Sequence, residues 1–339
     1  MTVNNGKVRL AINGFGRVGR AAFKIARERG DIEIVAVNDL ADNDTLAYLL
    51  KHDSTYGAYG KDVSYDETGI VVDGQHVRVL TVLNPADLPW ESMGVDIVIE
   101  ATGSYASKES AQRHIEAGAK KVIVTAALRD EGDYVVFGAN DDKLKDQGDV
   151  VSMGSCTGNA AAPLMKIFKD ALGVSDMMLT NIHSYTNDQP LQDSVIGWST
   201  RASRAAGSNI IPIGSNVDRV AQAVVSEIGS VRGAGYRVPV QNTAIFELVF
   251  HTDQDVDTDQ INTIVKEAAN QPFYSGIVDY SRERLVSGDY VGNPHSCIVD
   301  LELTQVAGQR LVKVVAWYDN EWGYASRLVE LVGEMGRLI

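Results

Sequence analysis

The run Lys7-Val8-Arg9-Leu10-Ala11-Ile12 leads directly into Asn13-Gly14-Phe15-Gly16-Arg17-Val18-Gly19-Arg20, and this stretch decides the fold. An apolar run, a GxGxxG pattern and the helical run Ala21–Arg29 are typical of the first strand, turn and helix of a dinucleotide-binding domain. The glycines let the backbone approach a pyrophosphate, and the helix N-terminus favours its negative charge. On its own the motif also fits a glycine-rich turn without a ligand. The candidate cofactor-binding residues are Gly14, Phe15, Gly16, Arg17 and Val18.

The next strand-like run, Glu33–Val37, is followed by Asn38-Asp39, and Asp39 lies 20 residues after Gly19. A carboxylate at this place accepts hydrogen bonds from the adenosine ribose and repels a 2′-phosphate, so NAD is favoured over NADP. The alternative role for Asp39 is the N-cap of a helix that begins near Asn43.

Two further cofactor-binding candidates lie at the C-terminal ends of strand-like runs, where ligands bind in doubly wound sheets. Thr102 follows the run Val95–Glu100, and Thr125 ends the run Val122–Thr125.

Short apolar runs alternate with helical runs in the first half of the chain, and Tyr134–Phe137 is the last strand candidate there. This alternation predicts an α/β Rossmann domain with a parallel sheet. Beyond about residue 150 the strand candidates, Thr243–Phe250 and Cys297–Leu303, alternate with period two. That pattern predicts an α+β catalytic domain with a mainly antiparallel sheet.

Helices complete both predicted domains. Asp257–Asn270 has an amphipathic pattern with Thr258 as the expected N-cap, and Ala325–Leu338 is expected to return to the first domain. We therefore predict an NAD-binding domain of residues 1–155, completed by 320–339, and a catalytic domain of residues 156–319.

The composition narrows the classes of function. A net charge of −14 and a pI near 4.9 disfavour binding to nucleic acid or to an anionic membrane surface. A polar N-terminus and the lack of a long apolar run predict a cytoplasmic protein. Two distant cysteines, Cys156 and Cys297, favour a reducing compartment over a disulfide framework. No metal site is predicted.

Cys156 is the candidate nucleophile. It follows the strand-like run Val150–Met153 and precedes a small-residue helical run, so we expect its pKa to be lowered by the helix N-terminus. Cys297 lies within a strand candidate and is expected to be a buried apolar residue. His183, in the polar strand-like segment Thr180–Thr186, is the candidate base that activates the thiol. A structural histidine near a strand end is the alternative.

Seven motifs, in this order, resemble the glyceraldehyde-3-phosphate dehydrogenase family across essentially the whole chain. They are Asn13–Arg20, Ser155–Asn159, His183–Thr186, Arg204–Ala206 with Ile210–Pro212, Arg237–Pro239, Gly292–Ser296 and Trp317–Tyr324.

The resemblance implies a fold, a reaction and roles for individual residues. It implies oxidation of glyceraldehyde 3-phosphate by NAD through a thioester on Cys156, with His183 as base and inorganic phosphate as acceptor, in a homotetramer of glycolysis. Asn320 would hold the nicotinamide carboxamide. Implied phosphate-binding residues are Ser155, Thr157, Thr186 with Asp188 nearby, Arg201, Ser215 and Arg237.

Departures from the family pattern cluster where phosphate is expected to bind. After Pro212 the chain reads Ile213-Gly214-Ser215-Asn216, in which Asn216 replaces a glycine. This leaves open a related dehydrogenase, acting on an aldehyde such as erythrose 4-phosphate with water as acceptor. A second alternative is an NAD-binding protein without catalysis. Gly158 and Ala160 replace a threonine and a cysteine, which predicts altered helix packing.

Overall fold

The computed structural model describes residues 6–174, 176–197 and 199–339. These residues form two compact units. The first comprises residues 6–135, 142–154 and 325–339, and the second comprises the described residues of 136–141 and 155–324.

The first unit is built on a sheet in which strands and helices alternate. The sheet contains β1 (Val8–Asn13), β2 (Ile32–Asn38), β5 (Val63–Asp66), β6 (Gly69–Val72), β7 (Gln75–Leu80), β8 (Ile97–Glu100), β9 (Lys121–Val124), β10 (Asp133–Tyr134) and β11 (Val150–Ser152). Two short strands, β3 (His52–Asp53) and β4 (Gly57–Ala58), pair with each other in a separate two-stranded sheet. Its helices are α1 (Arg17–Arg27), α2 (Asn43–Lys51), α3 (Trp90–Met93) and α4 (Lys108–Glu116).

The strand order of this sheet is β10-β11-β9-β8-β1-β2-β7-β6-β5. The pairs from β10 to β7 are parallel, and β6 and β5 are added antiparallel at the edge. The chain leaves β1 toward β2 on one side and later returns to β8 on the other. This reversal creates the crevice in which open α/β sheets bind ligands, so the predicted Rossmann domain is confirmed.

The strand predicted at Tyr134–Phe137 was too long. β10 covers only Asp133 and Tyr134, because it is an edge strand paired only with β11 and the chain turns at Gly138, whose φ is 76°.

The second unit contains a sheet covered by helices. Its strands are β12 (Met177–Ser184), β13 (Ile211–Gly214), β14 (Val231–Val238), β15 (Ala244–His251), β16 (Val278–Ser281), β17 (Cys297–Asp300), β18 (Gln305–Ala307) and β19 (Leu311–Tyr318). Its helices are α5 (Cys156–Leu172), α6 (Val217–Val224), α7 (Thr258–Ala269) and the start of α8 (Trp322–Gly336).

The order of this second sheet is β13-β14-β12-β15-β19-β17-β16, with β18 paired to β19. β12 with β14 and β16 with β17 are parallel, whereas the other pairs are antiparallel. β15 shows the expected alternation of buried and less buried residues. The mainly antiparallel α+β architecture is therefore confirmed.

Two local predictions in this unit were wrong. The run Cys297–Leu303 does not alternate, because β17 ends at Asp300 and all four of its residues are buried between β16 and β19. The N-cap of α7 is Asp257 instead of Thr258. The Asp257 carboxylate accepts from the N–H of Gln260 at 2.8 Å, and the Gln260 side chain accepts from the N–H of Asp257, which is a complete capping box.

Helix α8 begins earlier than predicted, at Trp322. The Asp319 carboxylate accepts hydrogen bonds from the N–H groups of Glu321 and Trp322, which satisfies two donors at the helix start. The later part of α8 belongs to the first unit. There Gly336 packs so tightly that a Cβ atom would lie 2.0 Å from Val8 Cγ2. Among the described residues, no helix combines the length and apolar character needed to cross a bilayer.

Candidate active site

A cavity of about 470 Å³ opens at the C-terminal ends of the parallel strands in the first unit. Gly14, with φ of 93°, belongs to its wall, and a Cβ at that position would lie 2.7 Å from the backbone of Ala101 and Thr102. A Cβ at Gly19 would lie 2.1 Å from the carbonyl oxygen of Gly14. The turn therefore requires glycine at both positions, and this close-packed cradle fits a pyrophosphate at the start of α1.

Asp39 lines the same cavity and ties the glycine-rich turn to β2. Its carboxylate accepts from the N–H of Phe15 at 2.7 Å and from the N–H of Ala41 at 3.1 Å. The alternative role as a helix cap is wrong, because the N-cap of α2 is Asp42. These two bonds hold the carboxylate in the wall of the cavity.

Not every cofactor-binding candidate lines this cavity. The cavity wall includes Gly14, Gly16, Asp39 and Thr102, together with Asn13, Asn38, Leu40, Val82, Leu83, Ala101, Ser104 and Tyr105. Phe15 is buried and packs edge-on against Phe23, and the Arg17 guanidinium donates to Asp53 at 2.8 Å. Val18 is half-buried in the first turn of α1, and the Thr125 hydroxyl donates to the carbonyl of Glu100. Sequence reasoning missed Asn13 and Asn38, although each is a polar residue that closes an apolar strand.

Cys156 is the first residue of α5 in the second unit, and it is partly exposed. The preceding residue, Ser155, is the N-cap, and its hydroxyl oxygen accepts from the N–H of Gly158 at 3.1 Å. The Sγ atom lies 3.3 Å from Nε2 of His183, which comes from β12 and is almost fully buried. The contact between thiol and imidazole that the sequence analysis requires is therefore present.

Arg237 reaches the other side of the His183 ring. The two residues are register partners on the parallel strands β12 and β14. One guanidinium nitrogen of Arg237, Nη1, lies 2.5 Å from Nδ1 of His183 and 3.0 Å from the carbonyl oxygen of Ser184, which is itself 2.7 Å from Nδ1. Nδ1 therefore faces one group that only donates and one that only accepts.

These two neighbours of Nδ1 favour opposite tautomers of His183. If Nδ1–H donates to the Ser184 carbonyl, Nε2 offers its lone pair to the thiol. If the guanidinium donates to Nδ1, the ring proton of neutral His183 lies on Nε2 and faces Sγ. The position of Arg237 thus controls whether the imidazole can take the thiol proton.

Burial and charge act on both partners. Burial raises the pKa of the Cys156 thiol, while the positive charge of Arg237 and the N–H of Thr157 act in the opposite direction. This direction is opposite to the one expected from the helix N-terminus alone. Burial, followed by the charge of Arg237, lowers the pKa of His183 to about 3. His183 is therefore neutral at pH 7, and it can act as a base toward Sγ when its ring proton lies on Nδ1.

Thr157 belongs to a buried ring of hydrogen bonds behind Cys156. The Asn181 amide donates to its hydroxyl oxygen at 3.0 Å, and the Tyr318 hydroxyl lies 2.9 Å from that oxygen and 3.2 Å from Oδ1 of Asn181. The Tyr318 ring lies edge-on to His183, with centroids 6.0 Å apart. Binding of phosphate by the Thr157 hydroxyl would require this ring of hydrogen bonds to open.

The other candidate phosphate ligands differ in their surroundings. Thr186 donates its hydroxyl to Asp188, and the Ser215 hydroxyl oxygen accepts from the N–H of Val217 at 3.3 Å. Arg201 is exposed, and its side chain makes no hydrogen bond or ion pair within the described ranges. Asn216 stands at the N-cap of α6 with φ of −103°, so this backbone does not require the glycine of the family pattern.

Asn320 has a fixed orientation. Its Oδ1 accepts from the N–H of Thr243 at 2.9 Å and from the Ser184 hydroxyl at 3.2 Å. The Nδ2 group is therefore the end left to donate to a ligand. Thr243 holds it from a backbone with φ of 77°, which a β-branched residue rarely adopts.

Gly158 allows α6 to pack directly against α5. A Cβ at this position would lie 2.8 to 3.0 Å from three carbon atoms of Val220. We therefore expect Gly158→Ala to lower the free energy of unfolding by about 1–3 kcal/mol, although the same change within an unobstructed helix is stabilising. Urea unfolding measures this effect. Gly288→Ala, whose Cβ meets nothing within 4 Å, is the control. Equal stability of both variants would contradict close packing at Val220.

Comparison with known proteins agrees with this arrangement. Residues 8–108 match the NAD-binding domain of glyceraldehyde 3-phosphate dehydrogenase, and residues 155–320 match its C-terminal domain. The chain belongs to the glyceraldehyde-3-phosphate dehydrogenase family. It is 42% identical to glyceraldehyde-3-phosphate dehydrogenase of Streptomyces coelicolor and to glyceraldehyde-3-phosphate dehydrogenase 1 of Bacillus subtilis, covering 97% of this chain and 98% of each relative. Identity to the Borreliella burgdorferi enzyme is also 42%, over 97% of this chain and 99% of that relative.

Proposed function

We propose that this protein is an NAD-dependent, phosphorylating glyceraldehyde-3-phosphate dehydrogenase that produces 1,3-bisphosphoglycerate in glycolysis. The observation that carries the proposal is the 3.3 Å contact between Sγ of Cys156 and Nε2 of His183, beside the guanidinium of Arg237. Family membership and the near-complete coverage of dehydrogenases support it.

The chemistry follows from the charges and hydrogen bonds at this pair. Arg237 is suited to bind the substrate phosphate, because its planar guanidinium makes two charge-assisted hydrogen bonds to such an anion. Movement of Arg237 onto the phosphate would leave Nδ1–H of His183 to donate to the Ser184 carbonyl. Nε2 then takes the thiol proton as sulfur adds to the aldehyde carbon.

In the next steps His183 transfers protons and the substrate carbon loses a hydride. His183 first returns its proton to the oxygen of the adduct, which gives a neutral thiohemiacetal. Bound NAD would supply the acceptor for the hydride that leaves the former aldehyde carbon. His183 takes the hydroxyl proton as the C=O bond of the thioester forms. Attack by inorganic phosphate on the thioester carbon then breaks the C–S bond and releases the acyl phosphate, and His183 returns its proton to the departing sulfur of Cys156. Ser155, Thr157 and Ser215 are the proposed phosphate ligands.

The remaining candidate residues are assigned by the positions that they occupy in the family pattern. We assign Thr186 and Arg201 to the substrate phosphate. Asn320 is assigned to the nicotinamide carboxamide, because its Oδ1 already accepts two hydrogen bonds and its Nδ2 can donate. Gly14, Phe15, Gly16, Arg17, Val18, Asp39, Thr102 and Thr125 are assigned to NAD within a first, NAD-binding domain.

A spectrophotometric assay tests the function. We expect NADH formation from glyceraldehyde 3-phosphate and NAD to depend on inorganic phosphate and to yield an acyl phosphate. A rate that does not change with phosphate would contradict phosphate as the acceptor. Higher kcat/KM for erythrose 4-phosphate would contradict the proposed substrate.

Cofactor choice is testable at Asp39. Asp39→Ala removes the carboxylate that repels a 2′-phosphate, so we expect the ratio of kcat/KM for NADP to that for NAD to rise at least about tenfold, equivalent to about 1.4 kcal/mol. Steady-state kinetics with both cofactors measure it. Asp42→Ala, at the N-cap of α2 without a side-chain cap bond, is the control. An unchanged ratio in Asp39→Ala would show that this carboxylate does not read the ribose.

We further propose a cytoplasmic homotetramer. Both cysteines are free thiols, which agrees with a reducing compartment. The neighbouring strands β12 and β14 expose Met178, Ile182 and Tyr236 on their outer surface, with Met178 67% exposed. An apolar surface of this kind fits contact with a second copy. Light scattering coupled to gel filtration measures the mass, and a monomer would contradict the proposal.

A further inference from the structure

Three polar side chains close the central strands of the first sheet and are nevertheless buried. Asn13 ends β1, Asn38 ends β2 and Glu100 ends β8. These three residues are 1%, 4% and 1% exposed, respectively. Asn13 and Asn38 line the NAD cavity, as does Thr102 just after β8. Burial of polar groups here requires a complete set of hydrogen-bond partners.

Glu100 has four donors around its carboxylate. Oε1 accepts from the backbone N–H of Thr102 at 2.9 Å and from the Thr102 hydroxyl. Oε2 accepts from the Asn13 amide at 2.5 Å and lies 3.0 Å from Nε2 of His114. The carboxylate therefore holds both the turn at Thr102 and the end of β1.

His114 is locked in one tautomer by Trp90. Both residues are fully buried, and the indole N–H of Trp90 donates to Nδ1 of His114 at 3.0 Å. An indole nitrogen is a donor only, so Nδ1 must be the acceptor and the ring proton lies on Nε2. That proton points to Glu100.

The hydrogen-bond partners also determine the orientations of the Asn13 and Asn38 side-chain amides. Because Nδ2 of Asn13 donates to Glu100, its Oδ1 faces the amide of Asn38, which donates to it at 2.6 Å. Oδ1 of Asn38 in turn accepts from the N–H of Val82 at 2.9 Å. One connected network thus runs from the core at Trp90 to the cavity wall at Val82.

We propose that His114 is a positioning residue for NAD: oriented by Trp90, it directs Glu100 to hold Thr102 and Asn13 in the shape that binds the dinucleotide. The proposal rests on the proposed function, in that the cavity is taken as the NAD site. His114 does not line the cavity, so its effect is exerted through Glu100.

Removal of the donor tests the role of His114. His114→Leu leaves the Trp90 N–H without an acceptor and Glu100 without one donor. We expect the Kd for NAD to rise about tenfold, while kcat at saturating NAD stays within about twofold. His114→Gln, which can still donate to Glu100, should restore most of the affinity. Isothermal titration with NAD, together with NAD-dependent kinetics, separates binding from turnover.

A control variant separates positioning from general loss of stability. Ile70→Ala removes buried apolar volume from β6, outside the network, and should lower Tm while leaving the Kd for NAD unchanged. If His114→Leu does not fold, Trp90→Phe decides, since it removes the indole N–H that selects the tautomer and should also weaken NAD binding, while Ile70→Ala shows the effect of lost buried volume alone. If a folded His114→Leu variant binds NAD with wild-type affinity, the inference is overturned. If that variant does not fold, wild-type affinity of Trp90→Phe for NAD overturns it instead. Failure of the unmodified protein to bind NAD would instead contradict the proposed function beneath it.

Discussion

Cys156→Ser is expected to lower kcat/KM for glyceraldehyde 3-phosphate by at least about a thousandfold. A serine hydroxyl is a much weaker acid than a thiol, so neutral His183 cannot convert it to an equivalent nucleophile. Steady-state NADH formation measures the loss. NAD titration is the control, because Cys156 lies outside the unit that contains the cofactor cavity and the Kd for NAD should remain within about twofold. Activity near the wild-type level would eliminate the thioester route.

Labelling distinguishes the two cysteines independently of turnover. Cys297 is fully buried in β17, and burial raises its pKa to about 12. Cys156 is partly exposed beside His183 and the positive charge of Arg237. We expect iodoacetamide to modify Cys156 first, with activity lost in proportion to the label. Equal rates at the two cysteines would contradict activation of Cys156.

His183→Gln should lower kcat by about a hundredfold to ten-thousandfold, the range contributed by a positioned base. Glutamine retains much of the volume and the polarity of histidine but cannot take a proton from Sγ. Burial and the charge of Arg237 lower the pKa of His183, so the imidazole is neutral in the neutral pH range, and movement of Arg237 away from Nδ1 would free the Nε2 lone pair to act as the base. Measured kcat at saturating substrate tests this expectation.

A second histidine provides the matched control. His251 ends β15 and is exposed, so His251→Gln should leave kcat unchanged. The rate of Cys156 alkylation should also fall in His183→Gln, since the thiol loses its base. A His183 variant with normal kcat and normal alkylation would show that the 3.3 Å contact has no catalytic role.

The elements on which the candidate site is built are encoded in short stretches of sequence. Gly14 and Gly19 define the turn before α1, and Asp39 follows at the distance typical of an NAD site. Cys156 stands out because glycines and hydroxyls surround it. Such signals are local, since turn chemistry and strand periodicity act over a few residues.

Contacts between segments that are distant in the chain were less predictable from the sequence. Nothing near Thr157 in the sequence indicates that its hydroxyl joins Asn181 and Tyr318 in a buried ring. The helical start at Cys156 suggested a lowered pKa, but burial has the larger effect in the folded protein and raises it. Burial depends on how the elements pack, so it is not a property of the local sequence.

The sequence by itself determined the class of both domains and indicated the glycine-rich turn, Asp39, Cys156 and His183 as candidate site residues. Only the tertiary structure decided that Arg237 stands against Nδ1 of His183, and that Trp90 orients His114 toward Glu100. The physical reason is that these contacts join residues brought together by strand register and helix packing. A donor and an acceptor separated by dozens of residues acquire their roles only when the backbone places them within hydrogen-bonding distance.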